Sequence, residues 1–143
     1  MSTKNRVDTI RILIGGHSSL SSSSKLTDII GELNRVTAAS KIPKHNGWLL
    51  GLLHTTRALD TTLREIVEGN GWLAPQHQSL GGYLHALETN NVITDNERSE
   101  WMRLIVEKRN VYMHRAGAMP TQLETDAMLS EMEACVAVVI AKT

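Results

Sequence analysis

LLGLLHTTRALDTTLREIVEGNG, residues 49–71, decides the class of fold. Leu49, Leu52, Leu53, Leu59, Leu63, Ile66 and Val67 return at three- and four-residue steps and hold one face of a helix. Gly69-Asn70-Gly71 then ends it. Upstream, Leu26, Ile29, Ile30, Leu33 and Val36 give a second helical stripe that begins near Ser24 and is stopped by Pro43. Downstream, a looser stretch holds Pro75, and a short helix starts at Ser79-Leu80-Gly81-Gly82-Tyr83-Leu84.

Two capping boxes mark the last helices. Thr94-Asp95-Asn96-Glu97 places a hydroxyl and a returning carboxylate three residues apart, ahead of Trp101, Leu104 and Ile105. Thr121-Gln122-Leu123-Glu124 repeats the device after Pro120, and Gly117 is expected to close the preceding helix in a left-handed cap. The final helix carries Met128, Met132, Cys135, Val136 and Val139 on one face. The expected fold is all-α: an up-and-down bundle of four to five helices spanning residues 25–143. Residues 1–24 read as an N-terminal arm. Val7, Ile10 and Ile14 fit a helix, Ile10, Ile12 and Ile14 alternate like a strand, and a Ser-rich run from Ser18 to Ser24 interrupts regular structure. The sequence leaves open whether the arm is a tether or docks on the bundle.

A chain of 143 residues has room for one core. With no Phe, that core must be aliphatic, supplemented by Met, Trp48, Trp72 and Trp101. The lone Cys135 excludes an internal disulfide, no apolar run is long enough to span a bilayer, and no secretory signal is visible, so a cytoplasmic protein is expected. Fifteen basic residues balance fifteen acidic ones, which argues against broad coating of nucleic acid. The charge is nonetheless uneven along the chain. Arg98, Arg103, Lys108, Arg109 and Arg115 outnumber Glu100 and Glu107, giving a small basic patch suited either to a phosphate or simply to a solvated helix.

Gly16-His17-Ser18 resembles a nucleophile elbow, but Leu20 stands where that turn needs a small residue, and no alternating strands follow. The six histidines form no helical ligand pair, so no metal site is expected, and His54 and His85 read as isolated polar or hydrogen-bonded residues. The segment with chemical content is Arg109-Asn110-Val111-Tyr112-Met113-His114. At 100° per residue, Trp101, Leu104, Ile105, Val111 and Tyr112 face the core. Asn110 and His114, four apart, lie side by side on the opposite face. Met102, Val106 and Met113 form a second apolar line with Arg109 in its path, and a second subunit is expected to cover it. A histidine moves protons near neutral pH, and an arginine holds a phosphate and the charge developing on it.

Arg-Asn-x-x-x-His late in a capped helix resembles the signature of HEPN domains, a family of small helical nucleotide-binding and ribonuclease domains. The Ser79-Leu80-Gly81 start of a short helix and the one helix after the motif agree with that layout, and the resemblance covers residues 25–143. It implies a homodimer whose two motifs face each other across a composite cleft. There RNA is cut by its own 2′-hydroxyl, without metal or other cofactor, in a toxin–antitoxin or phage-defence role. His114 would be the acid/base, Arg109 the phosphate and transition-state ligand, and Asn110 the support. Lys108, Tyr112 and Arg115 would contact substrate, although Lys108 also reads as a solvated cation and Tyr112 as core. Some toxin members carry a Tyr two places after the His that a partner enzyme modifies. This chain has Ala116 there, which argues against that control. The competing expectation is a catalytically silent module of the same kind, binding a nucleotide or a protein such as an antitoxin or defence partner.

Overall fold

Helix Lys44–Gly69 contains most of the 49–71 stretch and packs most heavily against the helices Leu26–Ala39 and Gln122–Lys142. The computed structural model describes residues 2–143, apart from the side chains of His45 and Pro75. In order the elements are α1 (Thr3–Gly15), α2 (Ser18–Ser21), α3 (Leu26–Ala39), α4 (Lys44–Gly69), a 3₁₀ turn (Pro75–His77), α5 (Leu80–Thr89), α6 (Asp95–Trp101), a π-helical segment (Met102–Glu107), α7 (Lys108–His114) and α8 (Gln122–Lys142). All are helical. No helix among the described residues is long and apolar enough to cross a membrane.

The long helices alternate in direction. Thr3, Ser40, Gly47, Trp48, Gln122 and Thr125 line one hollow, so α1, α4 and α8 start at the end where α3 finishes. Residues 95–114 run the opposite way to α4. Arg98 lies beside His77 and His85, beyond the C-terminal end of α4, while Met113 faces Leu50 and Leu53 near its N-terminal end.

The core is aliphatic, as the absence of Phe demands. Leu52, Leu59, Leu63, Ile66 and Val67 of α4 meet Ile29, Leu33 and Val36 of α3 and Met128, Met132, Val136 and Val139 of α8, with Trp101 and Tyr83 as the large aromatic members. Because α4 is buried on several sides, its buried Thr55 and Thr62 return their hydroxyls to the carbonyls of Gly51 and Ala58, each at 2.7 Å. Cys135 is fully buried, and burial pushes its thiol up, which makes it a packing residue and not a nucleophile.

Residues 3–15, ambiguous in sequence, are helical, and the segment read as an arm docks into the common core. Val7, Ile10 and Ile14 are buried, and each such side chain is worth roughly 1.5–3 kcal/mol. Their sum rivals the net stability of a small domain, about 5–15 kcal/mol. An ion pair of 2.9 Å joins Arg6 to Glu133 on α8. The serine run is not wholly irregular. Ser18–Ser21 makes one helical turn because His17, itself buried, accepts the Leu20 amide at its Nδ1 and pairs through Nε2 with Thr143 at 3.1 Å.

Candidate active site

Both capping boxes exist in full. The Thr94 amide donates to Glu97 at 2.8 Å and the Glu97 amide to Thr94 at 3.1 Å, and Thr121 and Glu124 exchange the same pair at 3.1 Å each. The boxes fix the start of the helix that carries the Arg-Asn-His segment and the start of the helix that follows it. Gly117 does take a left-handed conformation (φ 79°), but not as the helix cap. The helix stops at His114, Arg115 is extended, and Gly117 belongs to the next turn, closed by the Ala118 amide on the Arg115 carbonyl.

The π-helical segment Met102–Glu107 changes which residues face inward. A π turn holds one residue more than an α turn, so everything after it lags the 100° wheel by about one position. Met102 and Val106, within the segment, pack over Gly81 of α5 in the same chain, and Val106 is buried. Arg109 and Met113, expected beside them on an outer line, turn toward α4 instead. There they join Leu50, Leu53, His54 and Asp60 in a groove of about 410 Å³. Of the apolar line assigned to a second subunit, only Met113 is exposed.

Arg109 sits at the wall shared by that groove and a second one, where Asn110 and Arg98 meet His77 and His85. Its Nη1 lies 3.7 Å from Asp60, its Nη2 lies 3.5 Å from the Asn110 side-chain oxygen, and its Nε is buried without a hydrogen-bond partner. Burial raises the Asp60 carboxyl, against the opposing pull of Arg109 and Arg64. Asn110 is exposed. His114 and Arg115 are exposed too and pair with no described residue, and neither lines the α4 groove.

Lys108 and Tyr112 go elsewhere. Both reach Glu124 at the start of α8, Lys108 at 3.6 Å and Tyr112 through a short hydrogen bond from its hydroxyl. Burial and that bond push Tyr112 up to about 12, and the same bond, with the Thr121 amide, holds Glu124 below its ordinary value. Tyr112→Phe is therefore expected to cost about 1 kcal/mol at neutral pH. Because the folded pKa of Glu124 is depressed, this contribution is present above its unfolded value and fades as the pH falls through the folded one. Urea unfolding of both proteins, followed downward through the carboxylate range, checks this. An equal gap at every pH would refute the linkage to Glu124.

Glu32 and Asp60 belong to no sequence motif, and His54 reads in sequence as an isolated residue. Glu32 does interrupt the apolar stripe of α3 between Ile29 and Leu33, which is a usable signal. It is buried and gathers His54 at 2.7 Å and Arg35 and Arg57 at 3.3 Å each. Among the described residues no group of three His, Cys, Asp or Glu side chains is placed to hold a metal ion. No family model, curated protein or solved structure matches the chain.

Proposed function

We propose that this chain is a metal-independent endoribonuclease of the HEPN type, cutting RNA at a cleft between two copies in a toxin–antitoxin or phage-defence role. The observation that supports this most is Arg109, whose guanidinium is largely sheltered in a groove with one nitrogen unsatisfied, next to Asn110, which lies one turn before the exposed His114. A sheltered guanidinium can grip a phosphate with two parallel hydrogen bonds and hold the charge that grows on it. An exposed imidazole can exchange protons with the ribose and the leaving oxygen. Bond formation from the 2′-oxygen to phosphorus and loss of the 5′-oxygen leave a cyclic phosphate. Met113, Leu50 and Met119 are exposed apolar side chains, the first two lining the Arg109 groove, and a second copy would shield them.

One observation favours the silent module. Arg98, Arg103, Lys108 and Arg109 are each already paired, with Glu88, Glu100, Glu124 and Asp60, so of the basic patch only Arg115 is unengaged. Incubation with total RNA and a tRNA pool in excess chelator separates the two. The ribonuclease reading expects cyclic-phosphate ends from the parent protein and none from a folded His114→Ala variant. If parent and variant are equally inert, or equally active, on every RNA, catalysis is refuted and the module reading takes its place.

A further inference from the structure

Cleavage of RNA by its 2′-hydroxyl needs two proton transfers, one from the attacking oxygen and one to the departing oxygen. The histidine that shares a groove with Arg109 is His54, not His114. His54 lies on α4, with its side chain 19% exposed, so that solvent and a ligand can reach it. Its Nδ1 is 2.7 Å from the Glu32 carboxylate, whose other oxygen is held by Arg35 and Arg57 at 3.3 Å each. A carboxylate gripped by two guanidiniums offers acceptor oxygens, so the hydrogen bond between it and His54 is donated by Nδ1. In the neutral ring the lone pair is then left on Nε2, which has no partner among the described residues. That is how a carboxylate prepares an imidazole to act as a base.

We infer that His54, oriented by Glu32, is a second proton-transfer residue of the same site, acting on the nucleotide whose phosphate Arg109 holds. The inference rests on the ribonuclease reading. His54 Nε2 takes the proton from the 2′-hydroxyl, the 2′-oxygen bonds to phosphorus, and the bond to the 5′-oxygen breaks. The departing 5′-oxygen takes its proton from His114, and the products are a 2′,3′-cyclic phosphate and a 5′-hydroxyl. Glu32 is a positioning residue. The charged groups around His54 are Glu32 and Arg35 from α3, Arg57 and Asp60 from α4, and Arg109 from α7.

The alternative is a cross-brace between α3 and α4, which would affect melting but not the pH dependence of the chemistry. The experiment is the pH–rate profile of single-turnover cleavage of an RNA oligonucleotide that the parent cuts, with melting measured for every variant. His54→Gln is expected to slow cleavage about 100-fold and to lose the limb on which the rate rises with pH. Binding of the 2′-deoxy version of the same oligonucleotide should hardly change. Glu32→Gln is expected to slow cleavage about 10-fold while melting and binding of the 2′-deoxy oligonucleotide hardly change, because the imidazole is then no longer held with Nε2 free to accept. If His54→Gln keeps the parent rate and limb while His114→Ala is inert, the His54 assignment is overturned and the ribonuclease reading stands. The His54 assignment falls in the same way if its variant slows only as far as it unfolds. If the parent cuts no RNA at all, both are overturned.

Discussion

Arg109→Lys is expected to slow RNA cleavage by about 100- to 1,000-fold at saturating RNA while leaving the melting temperature almost unchanged. Charge is conserved in this variant, so the loss isolates geometry. The guanidinium presents Nη1 to Asp60 and Nη2 toward Asn110, while Nε is buried without a hydrogen-bond partner. A partly exposed pair at 3.7 Å is worth only about 0–1 kcal/mol, so an arriving phosphate can displace Asp60 with little penalty. Lysine offers one compact charge in place of a planar fork. It can satisfy Asp60 or approach the phosphate, but cannot grip two phosphate oxygens together. The cost should fall on the rate constant more than on binding, because the second hydrogen bond matters most as charge builds. Single-turnover rates and binding of the 2′-deoxy oligonucleotide, measured side by side, check this. A variant within about threefold of the parent rate would remove Arg109 from the chemistry.

Gly82→Ala is expected to destabilise the fold by about 3 kcal/mol or more, whereas Gly81→Ala, one residue earlier, should be neutral or slightly stabilising. A Cβ on Gly82 would lie 2.2 Å from the His77 carbonyl oxygen and 2.7 Å from its carbon, both backbone atoms of the 3₁₀ turn. Those atoms cannot rotate aside. Either the turn or the start of α5 must move, although the Gly82 amide is also tied to the Ser79 hydroxyl at 3.1 Å. A Cβ on Gly81 would meet the Met102 methyl at 3.3 Å and its sulfur at 3.4 Å, the far end of a flexible side chain, with Val106 at an ordinary 4.0 Å, and alanine gains up to about 1 kcal/mol of helix propensity over glycine. Urea unfolding of the two variants gives the comparison. Similar midpoints for both would mean that α5 does not approach the turn this closely.

The parts of this structure legible in sequence are those specified by local chemistry. The stripe of α4, both capping boxes and the Ser79 start of α5 are where spacing and hydroxyl chemistry put them. Residues 3–15 are ambiguous in sequence because Val7, Ile10, Ile12 and Ile14 satisfy both periodicities. What selects the helix is tertiary, the burial of Val7, Ile10 and Ile14 against α3 and α8. Of the Arg-Asn-His segment, the exposure of Asn110 and His114 is readable. The turning of Arg109 toward Asp60 is not, since no wheel contains a π segment unless one is assumed. The bond from Glu32 to His54 joins residues 22 apart, and neither position carries a local sign of the other beyond an acid set within a greasy stripe. Lys108 and Tyr112 neighbour the site in sequence, yet they face Glu124 on the other side, because one step along a helix is a large rotation.

That rotation gives the single surplus residue within Met102–Glu107 a role out of proportion to its size. In an unbroken α-helix from Trp101 onward, Lys108 would occupy roughly the bearing that Arg109 now has, about 100° away from its own. The forked cation would then point outward where Asn110 stands, and the compact one would meet Asp60. The spacing of the three motif residues would be untouched, and their letters would read the same. Composition supplies the tools of this segment, but a miscount in the winding of the helix aims them, much as one extra tooth on a gear shifts every later tooth against its mate.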